Sequence, residues 1–397
     1  MPLFGDLARL LSTQGPVNWD VARQMARWLS TSGQPETNVD PLVRVRYEEL
    51  YRIAEMRVAE ATGIQLSPGA TALRVLTRSE WAAGTLSDWQ PLLQNLATSL
   101  TPGAPTADDT GESQAADELM AGLAQSLSPL LLGLQSGSMV GHLTQQAFGT
   151  YDLPVPRQAG DLVVVPVNVD EFAEEWSLEL DDARLFVAVT ELAHHTVMSR
   201  PAVRGRFDEL VTSYVSGFEP DPSSLENQLV GVDPSDMEAL QSALGDPEAL
   251  LGAMQTPAQR EIATRLAAAG VALIGYVDHI TAAAGSRLVG NPGLLSEALR
   301  RRRVARGQGE RFVKRLFGLE LNQAQLDRGA AFVRGVIERA GDDALSGLWT
   351  GPASLPTPAE ITAPGLWLER TSYERDDEPP ARPDDDHGTE DTDAGQA

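Results

Sequence analysis

The sequence predicts a mainly α-helical protein with a small β element, and three observations carry that prediction. Apolar residues recur at i, i+3, i+4 spacing through most of the chain. Helix starts and stops are punctuated by capping residues, prolines and glycines. Only one run, "DLVVVPVNV" (residues 161–169), has the β-branched density of a strand, and Pro166 interrupts it, which demotes it to an edge or a short piece.

The elements follow in order. In "PLVRVRYEELYRIAEMRVAEATG" (residues 41–63), Val43, Tyr47, Leu50, Ile53 and Ala54 form one stripe and Gly63 is a stop signal. "TRSEWAAGTLSDWQPLLQNLATSL" begins with Thr77 and carries Glu80 three residues on, the capping-box arrangement. "TPGAPTADDTGESQ" (residues 101–114) has linker composition. Beyond it, residues 115–156 read as one long helix or two, with Ser136, Gly137, Ser138 and Gly141 small enough for another backbone to approach closely. "LDDARLFVAVTELAHHTVMSR" (residues 180–200) is an apolar helix with Asp181 or Asp182 suited to its N-terminus. Further helices are expected at residues 257–284, 292–306 and 322–340. The acidic, proline-rich end of the chain has too few apolar residues to offset the entropy of ordering it.

Composition limits the functions available. The chain has 397 residues, 42% of them apolar, so it can bury one large core or two smaller ones. A formal charge of −25 disfavours nonspecific attraction to nucleic acid or to an anionic membrane. Lys314 is the sole lysine, and the arginine-rich usage fits a high-GC genome or a salt-rich, halophilic cytosol. There is no cysteine, so a metal would have to take imidazole, carboxylate or hydroxyl ligands. The N-terminus lacks the basic region and uninterrupted apolar run of a secretory signal, and no stretch approaches eighteen uninterrupted apolar residues. A cytoplasmic protein is expected.

One helix raises the question of chemistry. In the zinc-protease pattern H-E-x-x-H, two histidines one turn apart bind one ion and the glutamate polarises a bound water. Here the pattern reads Thr190, Glu191, Leu192, Ala193, His194: the carboxylate and second ligand are present, and the first ligand is a hydroxyl. His195 cannot substitute, because adjacent helical residues point about 100° apart. The plain alternative is a buried His194 bonded to a neighbour and a Glu191 neutralised by an arginine.

Several further segments occur in order with this helix: "SGSMVGHLTQQAFGTYDLPVP", "LVVVPVNVDEFAEEWSL", "VAVTELAHHTVMSRPAVR", "LIGYVDHITAAAGSRL", "SEALRRRRVARGQGERFVKRLFGLEL" and "LWTGPASLPTPAEI". Together they resemble the zincin-like metallopeptidase family of actinobacteria and halophilic archaea, whose members are also labelled zinc-dependent metalloproteases or deazaflavin-cofactor-biosynthesis-associated proteins. The resemblance covers roughly residues 43–370. It implies a zincin-like helical metallopeptidase fold; with the linker and tail read from composition, the expected organisation is residues 1–100 as an N-terminal helical region, 101–114 as a linker, 115–370 as the metallopeptidase-type domain and 371–397 as a disordered acidic tail.

Carried over residue by residue, the resemblance implies Glu191 as the would-be general base and His194 as a would-be metal ligand. It puts the first metal histidine at Thr190. The third ligand, the glutamate of an E-G-x-x-D pattern, falls at Ile274, beside Gly275, and Asp278 matches the final aspartate as a second-sphere residue or substitute ligand. Two of the three expected zinc ligands are therefore replaced. Zinc, the family's cofactor, is expected to be absent or weakly held, leaving a non-catalytic protein that binds a peptide or protein partner. The competing expectation is an active zinc peptidase or amide hydrolase whose site is rebuilt with Asp278, His279 or His142. His387 lies in the acidic tail and carries no role. The arginines of residues 300–306 could grip phosphate or RNA, or pair with the chain's many carboxylates, and the second reading is preferred.

Overall fold

The computed structural model describes residues 15–66, 72–100, 114–153, 155, 157, 160–218, 255–304 and 313–376. Residues 101–113 of the linker expected at 101–114, residues 377–397 of the tail expected at 371–397, His387 among them, and residues 305–306 of the arginine run lie outside the described residues, while Gln114 begins a helix instead.

Helices α1 (Trp19–Ser30) and α2 (Pro41–Thr62) open the chain. Asn18 caps α1, its side chain accepting from the Val21 N–H at 3.1 Å. Helix α2 starts with Pro41 behind the Asp40 cap and stops at Gly63, whose φ of 67° is readily available only to glycine. Its stripe is buried as expected at Tyr47, Leu50 and Ala54. Strand β1 (Leu73–Val75) precedes α3 (Arg78–Leu100). The predicted capping box is present: the Thr77 N–H donates to Glu80 at 2.9 Å and the Glu80 N–H to Thr77 at 3.3 Å.

Residues 114–144 form one helix, α4 (Gln114–Thr144), rather than two. The small residues predicted to admit another backbone do so. A Cβ on Gly137 would sit 2.3 Å from the Ala22 carbonyl oxygen of α1, far inside van der Waals contact.

The strand candidate at residues 161–169 is corrected. Only β2 (Leu162–Val164) is extended, and Pro166 stands at the first turn of α5 (Pro166–Glu175), where a missing N–H costs nothing and its fixed φ suits the helix. β2 pairs in parallel with β1, Leu73 opposite Leu162. This ladder joins residues before and after the expected linker, and one continuous apolar cluster contains side chains from both regions.

Helix α6 (Leu180–Met198) follows. Its cap is Glu179, whose carboxylate accepts from the Asp182 N–H at 2.8 Å, so neither Asp181 nor Asp182 fills that place; both sit in the first turn, where negative charge suits the helix dipole. Every side chain from Leu185 to Met198 is buried, because α6 runs through the middle of the protein between α2, α5 and the later helices α7 (Pro201–Ser216) and α8 (Pro257–Gly285). Helix α8 is long and apolar enough to cross a membrane, yet 67% of its most apolar window is buried inside the fold, so its apolarity is spent on the core. Among the described residues, helices α9 (Pro292–Val304), α10 (Gln323–Ala340), α11 (Pro358–Thr362) and α12 (Pro364–Asp376) follow, with two short 3-10 helices at Asp342–Trp349 and Pro352–Ser354 between α10 and α11. α12 runs through residues 371–376, which composition alone assigns to the tail; its buried Trp367 donates to the Ser354 carbonyl at 2.7 Å and anchors it.

Candidate functional site

The site is built where α6 meets the turn at residues 148–152. Backbone amides at four successive positions point at two carboxylates. The N–H groups of Phe148 and Gly149 donate to Asp152 Oδ2 at 2.7 and 2.9 Å, and those of Thr150 and Tyr151 donate to Glu191 Oε2 at 2.8 and 3.1 Å. The turn has to lie this close to α6. A Cβ on Gly149 would come within 2.7 Å of Glu191 Oε2 and 2.3 Å of the Val163 carbonyl oxygen.

Thr190, Glu191 and His194 are 9%, 4% and 6% exposed. The Thr190 hydroxyl donates to the Phe186 carbonyl at 2.9 Å, the usual way for a helical threonine to satisfy itself, and lies 3.4 Å from the Thr281 hydroxyl of α8. His194 Nδ1 is 3.0 Å from the Thr190 carbonyl oxygen. A carbonyl only accepts, so Nδ1 carries the proton and Nε2 keeps its lone pair. The ring of Tyr151 lies nearly parallel to that of His194, 10° between planes, and the Tyr151 hydroxyl is 2.8 Å from His195 Nδ1.

Burial governs the charge states. It raises the Glu191 carboxyl to about 8, with the Asp152 charge adding to the rise and the two amides opposing it. Burial likewise lowers the His194 imidazole to about 4, helped by the nearby Arg303. At neutral pH His194 is neutral.

Thr190, Glu191, His194 and Ile274 all line one cavity of about 70 Å³. The positions that the family resemblance singles out are thus brought together, and the one from α8 is apolar. Asp278, a turn beyond Ile274, is held by Arg303 at 2.6 Å. His279 pairs with Asp342 at 2.7 Å, and His142 is exposed near the end of α4. Among the described residues no group of three or more His, Asp or Glu side chains could hold a metal ion. The donor set does not fit a catalytic zinc, which needs about three protein ligands and an open water position: the His194 imidazole and the carboxyl groups of Glu191 and Asp152 line the cavity, but both carboxyl groups are taken up by backbone amides, Asp152 also faces Arg302, and the threonine hydroxyl is committed to its own helix.

The plain alternative for this helix is met in half. His194 is bonded to a neighbour, while Glu191 accepts its hydrogen bonds from backbone amides and feels an arginine, Arg157, only as a nearby charge. Sequence reasoning gave no role to Tyr151 and Asp152, although both stand in the quoted "GTYDLP" segment. It also did not place Arg302, Arg303 and Lys314 at the cavity. The arginine run itself was the available signal. Arg301, Arg302 and Arg303 pair with Glu297, Asp152 and Asp278, as the preferred reading expected, but Arg302 and Arg303 turn inward to do so.

The profile of the zincin-like metallopeptidase family matches residues 17–368. Among solved structures, the chain is similar to a protein from Chloroflexus aurantiacus described as a candidate hydrolase with a novel fold. That similarity has a TM-score of 0.62 and 25% sequence identity, covering 90% of this chain and 99% of the other. No curated protein matches the chain.

Proposed function

This chain belongs to the zincin-like metallopeptidase family, and we propose that it is a member in which the metal site has given way to a non-catalytic binding cavity. One observation carries the reading. The four positions that would build a zinc centre share a cavity, yet Thr190 and Ile274 supply no ligand to it and the nearest substitute, Asp278, is neutralised by Arg303. Without three ligands placed to share one ion among the described residues, no water is activated and Glu191 has no bound nucleophile to deprotonate. The two residues retained from the motif have work in the apo protein: Glu191 fixes the 150–151 backbone and His194 lies against Tyr151. The reading places the protein in the cytoplasm, binding a peptide or protein partner.

Elemental mass spectrometry after dialysis against zinc tests this, with the wild-type chain beside the double variant Thr190→His, Ile274→Glu. The expected result is an empty wild type and one zinc per chain in the variant. Stoichiometric zinc in the wild type that His194→Ala abolishes would instead establish a remodelled metal site, and peptide and amide substrates would then be the ones to screen.

A further inference from the structure

A groove of about 750 Å³ is formed by the segment leading into α2, the link from β1 to α3, and α5 with the start of α6. It shares no lining residue with the cavity beside His194. Its size falls inside the roughly 300–1,000 Å³ range of ligand-binding clefts. All three lining stretches, residues 30–43, 76–78 and 166–180, lie within continuous described segments.

Two kinds of side chain build it. Val39, Val43, Leu76, Val167, Leu178 and Leu180 give it a hydrocarbon lining, and Val167 and Leu180 are 41% and 39% exposed, so covering them is favourable. Five carboxylates share the lining: Glu36 and Asp40 from the segment before α2, and Asp170, Glu171 and Glu174 from α5. Glu36 accepts from the Arg78 and Ser79 N–H groups at 3.0 and 3.2 Å, and Asp40 from the Leu42 N–H at 2.8 Å. These bonds fix where the two carboxylates sit and leave their charge in place. Among the described residues two guanidiniums answer the five acids, Arg78 on Glu171 and Arg184 on Asp170. The groove is therefore negative as well as apolar.

That combination restricts what can cover it. An anionic segment is repelled, and a purely apolar one would take carboxylates out of water with no opposite charge to meet them. A second copy of a chain with formal charge −25 is opposed by the like charge of the whole molecule. A segment carrying both apolar and basic side chains complements the lining and the charge together.

We infer that this groove docks a basic, apolar segment of a partner protein, its aliphatic side chains against Val167 and Leu180 and its arginine or lysine side chains at Glu36, Glu171 and Glu174. The inference goes beyond the proposed function and is independent of it, since it holds whether or not the cavity beside His194 takes up zinc.

Fluorescence anisotropy with the full chain and labelled, end-blocked octapeptides tests this, one peptide alternating arginine with leucine, one arginine with serine and one glutamate with leucine. The arginine–leucine peptide should bind one per chain, roughly ten-fold or more tighter than the other two, and more weakly as salt is raised. Glu171→Gln with Glu174→Gln should weaken it about ten-fold, while Glu338→Gln with Glu369→Gln, exposed positions outside the groove that remove the same charge, should leave it unchanged. Val167→Ser should weaken the arginine–leucine peptide and not the arginine–serine one, which separates the hydrocarbon contribution from the charge. Equal losses in the two glutamate pairs, or equal affinity for the serine peptide, would reduce the effect to the general field of an acidic protein and overturn the inference. Spermidine competing as tightly as the peptide would make the occupant a small cation, and a dimer in sedimentation velocity that the groove pair abolishes would make it a second copy; either result overturns the inference as well.

Discussion

The two walls of the cavity differ in kind. On the α6 wall, Thr190, Glu191 and His194 each have a partner inside the protein: a main-chain carbonyl, a pair of amides, another main-chain carbonyl. On the α8 wall, Ile274 presents a branched hydrocarbon and Asp278 is turned to Arg303. A glutamate and a histidine in a protease-like motif can therefore be held by structural work alone. Buried polar groups are costly unless bonded, and here each is bonded without a metal.

Experiments can break that contrast at either wall. The largest effect is expected from Glu191→Ala, which strands two amides and opens a void beside them; urea denaturation should show a loss on the order of 3 kcal/mol. Next comes a pH effect. Glu191 keeps its proton up to about pH 8 in the folded chain, against 4.5 ordinarily, so the folded state binds more protons across that window and stability falls as pH rises through it. His194, near 4 folded against 6.5 ordinarily, acts oppositely, its stabilising share being lost as pH falls from 6.5 towards 4. The two oppose each other below pH 6.5. From 6.5 to 8 the Glu191 effect remains, about 2 kcal/mol at roughly 1.36 kcal/mol per pH unit. Glu191→Gln should flatten that fall, measured as urea midpoints at the two pH values.

Smaller effects sharpen the contrast. His195→Phe takes from the Tyr151 hydroxyl its ring-nitrogen partner and should cost about 1 kcal/mol. Ile274→Val, on the wall without polar duties, should cost no more than about 1 kcal/mol and leave the pH profile of stability unchanged. If Ile274→Val altered that profile, the two walls would be electrically coupled and the division drawn between them would fail.

Much of the fold was legible because it is written locally. The stripe of α2, its stop at Gly63, the Thr77–Glu80 box and the glycines of α4 each need only near neighbours in sequence to be read. Strand β1 was not legible: three residues carry no period, and they are extended because Leu162–Val164 lie beside them. The strand at residues 161–169 was overextended because β-branched density outweighed the helix-starting preference of Pro166. At the site, Glu191 and His194 stood out by spacing on one helix. The Asp152–Arg302 and Asp278–Arg303 pairs join different elements, and nothing in a local pattern announces them.

The β1–β2 ladder also bears on the order of folding. Closing a loop between Leu73 and Leu162 is entropically expensive, and a ladder this short returns little until the helices between its strands have docked. The pair should therefore form late. Until it does, Leu162–Val164, an apolar segment with unpaired main-chain groups, is an edge on which nascent chains can associate. Refolding yield is therefore expected to fall as chain concentration rises, with this junction as the point of association.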